Sequence, residues 1–319
     1  MLPPGPTLPG HVLVVGVDGV RFDFLAAESA PSVWALGQAG FLARVPVDEA
    51  TPTWSGPCWA TIATGTGVAG HGITGNDLTG HRLAEHPDFV TVATRAGLPT
   101  LLAVSGWPPL ALPEDGGPLF AEATRREFSA VPEAGLDAWD AADEATTAAA
   151  VAILAADAPR VSFVYLGAVD IAGHATGSGA AYRAALRAAD QRVGRLVAAV
   201  RSRPSGPEEN WTIVVVTDHG HLDVGGHGGR EPEVATAWAA AAGPGCPSCT
   251  WAPWTSPGTS PERGPPTGTQ PAPPTSGWGD CSMRSPPARP TSGRAGRSWS
   301  SPTTATSTRA GTAAASRRW

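Results

Sequence analysis

The chain has 319 residues, 28 of them acidic and 22 basic, for a net charge of −6. That balance argues against a nucleic-acid polymer as partner, and no run of about 18 apolar residues is present that would span a membrane. Every basic residue is Arg, so a Walker-type phosphate loop, which needs Lys, is excluded. The opening MLPPGPTLPG lacks a basic stretch followed by an apolar one, so a cytoplasmic location is expected. Cys58 stands apart from Cys246, Cys249 and Cys281, and the four form no disulfide pattern.

Taken in order, HVLVVGV (His11–Val17) is a short Val-rich run that suits a fully buried strand. A helix is expected over Pro31–Gly40 and a strand over Phe41–Val47. A second helix, Pro57–Thr64, is entered from Ser55-Gly56. Pro87–Ala96 reads as helix and Thr100–Ser105 as strand. Pro108–Gly135 is rich in Pro and Gly and reads as irregular, the centre of a cap or insertion within 78–150. Ala138–Ala156 is an Ala-rich helix, Val161–Leu166 a strand. In Gly179–Arg201, Ala184, Leu186, Val193, Leu196 and Val200 recur at helical spacing, marking a long amphipathic helix. Thr212–Thr217 and Ala235–Ala242 are strands. Strands alternating with helices predict an α/β fold: a mostly parallel sheet with helices on both faces.

The last part differs in kind. Pro247–Trp319 contains no Leu, Ile, Val, Phe or Tyr, and Arg recurs there eight times against two acids, Glu262 and Asp280. Such a composition cannot bury enough apolar surface to offset its ordering entropy. The expected division is therefore a folded main domain over 1–245 and an irregular, low-complexity tail over 246–319. Two explanations of the tail stand side by side: a disordered basic segment, or a reading-frame shift near Gly245. The single CxxC at Cys246 and Cys249 is weak evidence for metal or redox chemistry.

Three strands end in metal-type ligands. Asp18 follows the first, Asp170 and His174 (DIAGH) follow the strand at Val161, and Asp218 and His219 follow the strand at Thr212, with His227 close behind in GGHGG. Parallel strands would bring these to one edge of the sheet, where α/β proteins place their chemistry. Three carboxylates and three imidazoles suit two divalent cations; without a cation the carboxylates would raise one another's pKa values. In TPTWSGPCWATIATG, Ser55 precedes a helix. On spacing alone it suits first an N-cap, the commonest role there, and second a nucleophile at a helix N-terminus that welcomes an anion.

Together, VVGVDGVR, TPTWSGPCWATIATG, HGITGN, DIAGH, TDHGH and GGHGG resemble the alkaline phosphatase superfamily, nearest to its type I phosphodiesterase/nucleotide pyrophosphatase branch, from about Val12 to about Gly245. The resemblance implies one metal held by Asp18, Asp218 and His219 and another by Asp170, His174 and His227, with zinc the first choice and manganese the second. It implies Ser55 as the nucleophile. Cys58 stands where the pyrophosphatases carry an Asn that binds phosphoryl oxygens, a departure that weakens the case for nucleotide pyrophosphatase specificity; Asn76 is the candidate substitute donor. The implied substrate is a small phosphate ester, with no membrane or nucleic-acid partner; the oligomeric state is left open. The rival readings are a frame-shifted, non-catalytic chain and a metal-binding protein without hydrolysis.

Other motifs fail their context. Gly65, Gly67 and Gly70 spell GxGxxG, but after a helix rather than a strand. The sulfatase pattern wants Arg where Trp59 stands. Asn210-Trp211-Thr212 fits a glycosylation sequon but leads into a core strand. His71 and His221 could be ligands but read rather as turn histidines satisfied by backbone; Arg21 and Arg230 could meet substrate anions but read rather as solvated surface residues.

Overall fold

The computed structural model describes residues 10–244 apart from 115 and 206–208; the tail expected over 246–319 lies outside the described residues. Seven strands form one sheet, in the order β2-β7-β6-β1-β5-β3-β4. They are β1 (His11–Val17), β2 (Phe41–Pro46), β3 (Thr100–Ser105), β4 (Arg125–Ser129), β5 (Val161–Leu166), β6 (Trp211–Thr217) and β7 (Thr236–Ala242). β6, β1, β5, β3 and β4 run parallel, while β7 is antiparallel to both β6 and β2. A parallel return from β6 would need a crossover of a dozen or more residues, usually helical. The segment 218–235 between β6 and β7 contains no helix; it turns back, and the loop it makes carries much of the site described below.

Eight α-helices accompany the sheet among the described residues: α1 (Pro31–Ala39), α2 (Ser55–Thr64), α3 (Val68–His71), α4 (Phe89–Arg95), α5 (Pro108–Ala111), α6 (Leu136–Asp157), α7 (Ala168–Thr176) and α8 (Ala180–Arg201). Alternation along the strands sorts side chains into two cores. Leu13, Val15, Leu101, Ala103, Val164 and Leu166 meet α1, α6 and α8 on one face. Leu102, Val104, Phe163 and Tyr165 meet Trp59 of α2, Val90 of α4 and Leu110 of α5 on the other. The side-chain period of two thus feeds both faces of a sheet covered on both sides. None of the helices is long and apolar enough to cross a membrane.

Three elements depart from the sequence reading. β4 lies inside the stretch expected to be irregular; RREFS has little β propensity, and pairing with β3 on one side only suffices to hold an edge strand. α5 is a single turn in the same stretch. Residues 168–176, read only as the segment after a strand, form helix α7, so Asp170 and His174 share one helical face.

α1 is anchored from a distance. No side chain of its own caps it; Asp190, buried on α8, accepts from the amides of Ser32 and Val33, each at 2.9 Å. Removing that carboxylate leaves two buried donors unpaired. Asp190→Ala is therefore expected to lower the unfolding free energy by about 1–3 kcal/mol, read from denaturant titration; a loss below about 0.3 kcal/mol would show that the amides find other partners.

Candidate metal and nucleophile site

The site forms where β1, β5 and β6 end. Asp18 is the residue after β1, Asp218 and His219 follow β6, and Asp170 sits in the first turn of α7 after β5. Asp18, Asp218, His219 and His221 are all at most 1% exposed. Gly16 explains part of the approach: a Cβ there would lie 2.5 Å from the Trp59 ring. The indole crosses β1 at that glycine, and its Nε1 donates to Asp18 Oδ2 at 2.9 Å. The Tyr165 hydroxyl, from β5, donates to the same oxygen at 2.6 Å. Two donors on one oxygen orient the carboxylate and leave Oδ1 turned to Ser55, whose hydroxyl donates to it at 3.5 Å.

Ser55 is not the cap of its helix. Trp54 occupies that position, and the Ser55 side chain caps nothing. Its Oγ instead lies between Asp18 and His219, 3.3 Å from His219 Nε2. His219 Nδ1 lies 3.1 Å from the Gly220 carbonyl, an acceptor only, so Nδ1 carries the proton and Nε2 keeps its lone pair. His227 follows the same rule: Nδ1 donates to Thr53 O at 2.7 Å, which frees Nε2. That Nε2 lies 3.0 Å from His174 Nε2 and 3.6 Å from Asp170 Oδ1. The rings of His219 and His227 stack with centroids 3.9 Å apart.

Electrostatics fit a cation. Burial, then the Asp170 charge, push Asp18 up to about 6 despite the bonds from Tyr165 and Trp59. Burial and the charges of Asp18 and Asp170 push Asp218 well up. Burial acts on Asp170 in the same direction, but the hydrogen bond and charge of His221, with His227 and His174, outweigh it and hold Asp170 below the usual carboxylate range. Burial lowers His219 to about 4 and His227 to about 3, so both imidazoles are neutral at pH 7 and offer lone pairs. Three buried carboxylates beside neutral imidazoles form a hard-to-borderline donor set that a divalent ion would satisfy. Two atoms support this directly: Asp218 Oδ2 and His221 Nδ1 are buried without a hydrogen-bond partner, a condition rare in folded proteins unless something else completes the shell.

Among the described residues, two groups of ligand atoms lie within 4.8 Å of one another: Asp170, His174, His221 and His227, and Asp18, Asp170 and His219. All six residues singled out from the sequence thus gather at one rim, with Asp170 common to both groups and Asp218 beside them, its Oδ2 3.3 Å from His219 Nε2. His221 joins the first of these groups, the alternative that the sequence reading placed second for it. It is not satisfied by backbone; its Nε2 lies 2.6 Å from Asp170 Oδ1. Its slot is built by glycines, since a Cβ on Gly19 or Gly173 would come within 2.9 or 2.8 Å of the imidazole. The spacing of DHGH, two residues past Asp-His, was the available signal.

Asn76 lies against the N-terminus of α2. Its Oδ1 accepts from Gly56 N at 2.8 Å, leaving Nδ2 as its donor. Close approach is allowed because Gly56 lacks a Cβ, which would sit 2.3 Å from Gly75 O. Cys58 is no nucleophile: burial first, then Asp218 and Asp18, push its thiol far up, and it donates to Pro52 O. Arg21 is buried rather than solvated, bonded to Asp23 and Asp223. Arg230, exposed, gathers the carbonyls of Asp48, Glu49 and Thr51, bracing the loop that leads to Ser55. His71 does meet backbone, accepting from Ile73 N at 3.0 Å, and pairs with Thr61.

A mostly parallel sheet with this Asp/His cluster at its carboxyl rim, and a serine at a helix N-terminus within it, is an alkaline phosphatase-like architecture. More narrowly, the chain belongs to the type I phosphodiesterase / nucleotide pyrophosphatase family, which it matches over residues 12–239. Solved structures with the same fold include a putative sulfatase from Bacteroides thetaiotaomicron (13% identity, TM-score 0.57, covering 75% of this chain and 65% of that one). Murine ectonucleotide pyrophosphatase / phosphodiesterase 5, inactive and in complex with AMP, is similar at 21% identity and TM-score 0.50, over 66% of this chain and 57% of that one. Phosphonoacetate hydrolase from Sinorhizobium meliloti 1021, in complex with phosphonoformate, matches at 19% identity and TM-score 0.50, over 66% and 56%. At these identities the likeness is one of fold, and the chain spans less than two thirds of the length of each of these structures. A comparison with curated proteins gives no match.

If the cluster holds cations, binding must stabilise the fold. Zinc at about 100 times its dissociation constant is expected to add about 2.7 kcal/mol per site, a rise of several degrees in melting temperature that excess chelator reverses. An identical melting curve with and without zinc would show that the carboxylates are neutralised some other way.

Proposed function

We propose that this protein is a metal-dependent hydrolase of small phosphate esters, acting on phosphodiesters in preference to monoesters, with Ser55 as nucleophile. The observation that carries this is the position of Ser55 Oγ, 3.3 Å from His219 Nε2 and 3.5 Å from Asp18 Oδ1, inside the group of ligand atoms and free of any capping duty. Family membership supports the same reaction class.

In this reading Asp18, Asp218 and His219 hold one divalent cation and Asp170, His174 and His227 the other, zinc being the best match and manganese the second. The bound cations supply Lewis-acid stabilisation of the attacking and leaving oxygens. The chain does the rest. Trp59 and Tyr165 fix the Asp18 carboxylate, and Asp18 Oδ1, accepting from the Ser55 hydroxyl, holds Oγ toward the incoming phosphorus. Ser55 Oγ bonds to phosphorus as the bond to the leaving alkoxide breaks in line, and the hydroxyl proton passes through solvent to that alkoxide, which departs as the alcohol and leaves a phosphoseryl intermediate. Water then attacks phosphorus on the same line, the Oγ–P bond breaks, and the proton that the water gives up restores the Ser55 hydroxyl. The N-terminus of α2 favours the negative phosphoryl group, and Asn76 Nδ2 is the donor offered to one of its oxygens.

Hydrolysis of bis-p-nitrophenyl phosphate and p-nitrophenyl phosphate, each with and without chelator, tests the proposal. Chelator-sensitive hydrolysis, faster on the diester, is expected. Bound zinc without hydrolysis of either ester would make this a metal-binding protein; neither zinc nor hydrolysis would mark a defective chain. Ser55→Ala is expected to reduce turnover by about a thousandfold or more while zinc content stays as in the parent; near-parental turnover would remove Ser55 from the mechanism. The catalytic unit is assigned to residues 1–245, so a chain ending at Gly245 should keep the full chain's rate, and a marked loss on truncation would extend that unit into the tail.

A further inference from the structure

We propose that Asp143, on α6, is a positioning residue for the Asp170–His174 half of the site, an inference that rests on the metal-dependent reading above. Asp143 is fully buried. Its Oδ1 accepts from the Ser105 hydroxyl at 2.5 Å and from Gly167 N at 2.9 Å, and its Oδ2 accepts from Ala168 N at 3.1 Å. Gly167 is the N-cap of α7 and has no side-chain cap of its own. One carboxylate therefore satisfies the two leading amides of the helix that carries Asp170 and His174, and ties them to the end of β3. The Ser105 hydroxyl also reaches Tyr165 O at 3.3 Å, next in line to the phenol that orients Asp18.

A second contact fixes the same register. Trp139, one turn before Asp143 on α6, covers the glycines that end the two strands. A Cβ on Gly106 would lie 2.3 Å from its ring, and one on Gly167 would lie 2.5 Å from it. The docked end of α6 thus grips the β3 and β5 termini at two points. Asp170 and His174 are one turn apart on α7, so any slide of the helix N-terminus moves both ligands together.

Asp190 supplies the comparison. It is likewise buried and likewise accepts from two helix amides, but its helix, α1, carries none of the candidate ligands. A purely structural role would make the two carboxylates equivalent.

Zinc-binding isotherms against a competing chromophoric chelator, with thermal melts in excess chelator, separate the cases on the full chain. Asp143→Asn turns a donor toward amides that need an acceptor. It is expected to weaken one of two bound zincs by about 10–100-fold, the range for disturbed outer-shell partners, and to leave the other unchanged. Asp190→Asn should lower the melting temperature and leave both zinc affinities within about twofold. Unchanged zinc binding in Asp143→Asn, or equal weakening in both variants, overturns the inference. Should Asp143→Asn fail to fold, Ser105→Ala keeps the carboxylate and removes only its hydroxyl partner; a severalfold loss at one zinc is then expected, and unaltered binding overturns the inference. A parent chain that binds no zinc overturns the metal-dependent reading itself, an outcome distinct from the others.

Discussion

Three buried carboxylates within one small volume are the constraint around which this molecule is arranged. Asp18, Asp170 and Asp218 each leave the carboxyl end of a neighbouring strand or the turn after it, and a parallel sheet directs all three to one rim. Taken alone, such a cluster works against folding, since burial and mutual repulsion both disfavour the charged forms. The surroundings temper that cost without removing it. Tyr165 and Trp59 donate to Asp18, Gly19 N donates to Asp218, and His221 bonds to Asp170. Within the cluster, Asp218 Oδ2 is buried without a hydrogen-bond partner, an oxygen that a cation would take up.

The placement of small residues follows from this crowding. Gly16 yields to the Trp59 ring, Gly19 and Gly173 to the His221 imidazole, and Gly56 to the Gly75–Asn76 backbone. Each lies inside a motif that also carries a polar site residue. The motifs therefore combine a chemical group with the space for its neighbour from another strand, which is why DG, DIAGH and DHGH occur as units. Behind them stands a layer of fully buried polar anchors, Asp143 among them, that tie helices to strand ends by amide hydrogen bonds rather than by apolar packing alone.

Much of this was legible in the sequence. Val-rich runs such as HVLVVGV and TIVVVT marked buried strands because a strand covered on both faces is apolar throughout, and each stopped at an Asp. The amphipathic period of α8 marked it equally plainly. α7 was not legible, because it is only nine residues long, holds Gly173 within it and is closed by Gly177, so glycine at both points argued for a loop. β4 was hidden by its charged Arg-Arg-Glu start, which only an edge position tolerates. The contact between Arg21 and Asp223 spans 202 residues and leaves no local trace; His221 left the DHGH spacing as a signal, but its partner Asp170 lies 51 residues away.

Anomalous diffraction at the zinc absorption edge, from crystals grown with zinc, measures the central claim most directly. The account predicts two peaks about 4 Å apart, one among Asp18, Asp218 and His219 beside Ser55, the other among Asp170, His174 and His227. A cluster without anomalous density, or zinc bound only at surface residues remote from Ser55, would contradict it.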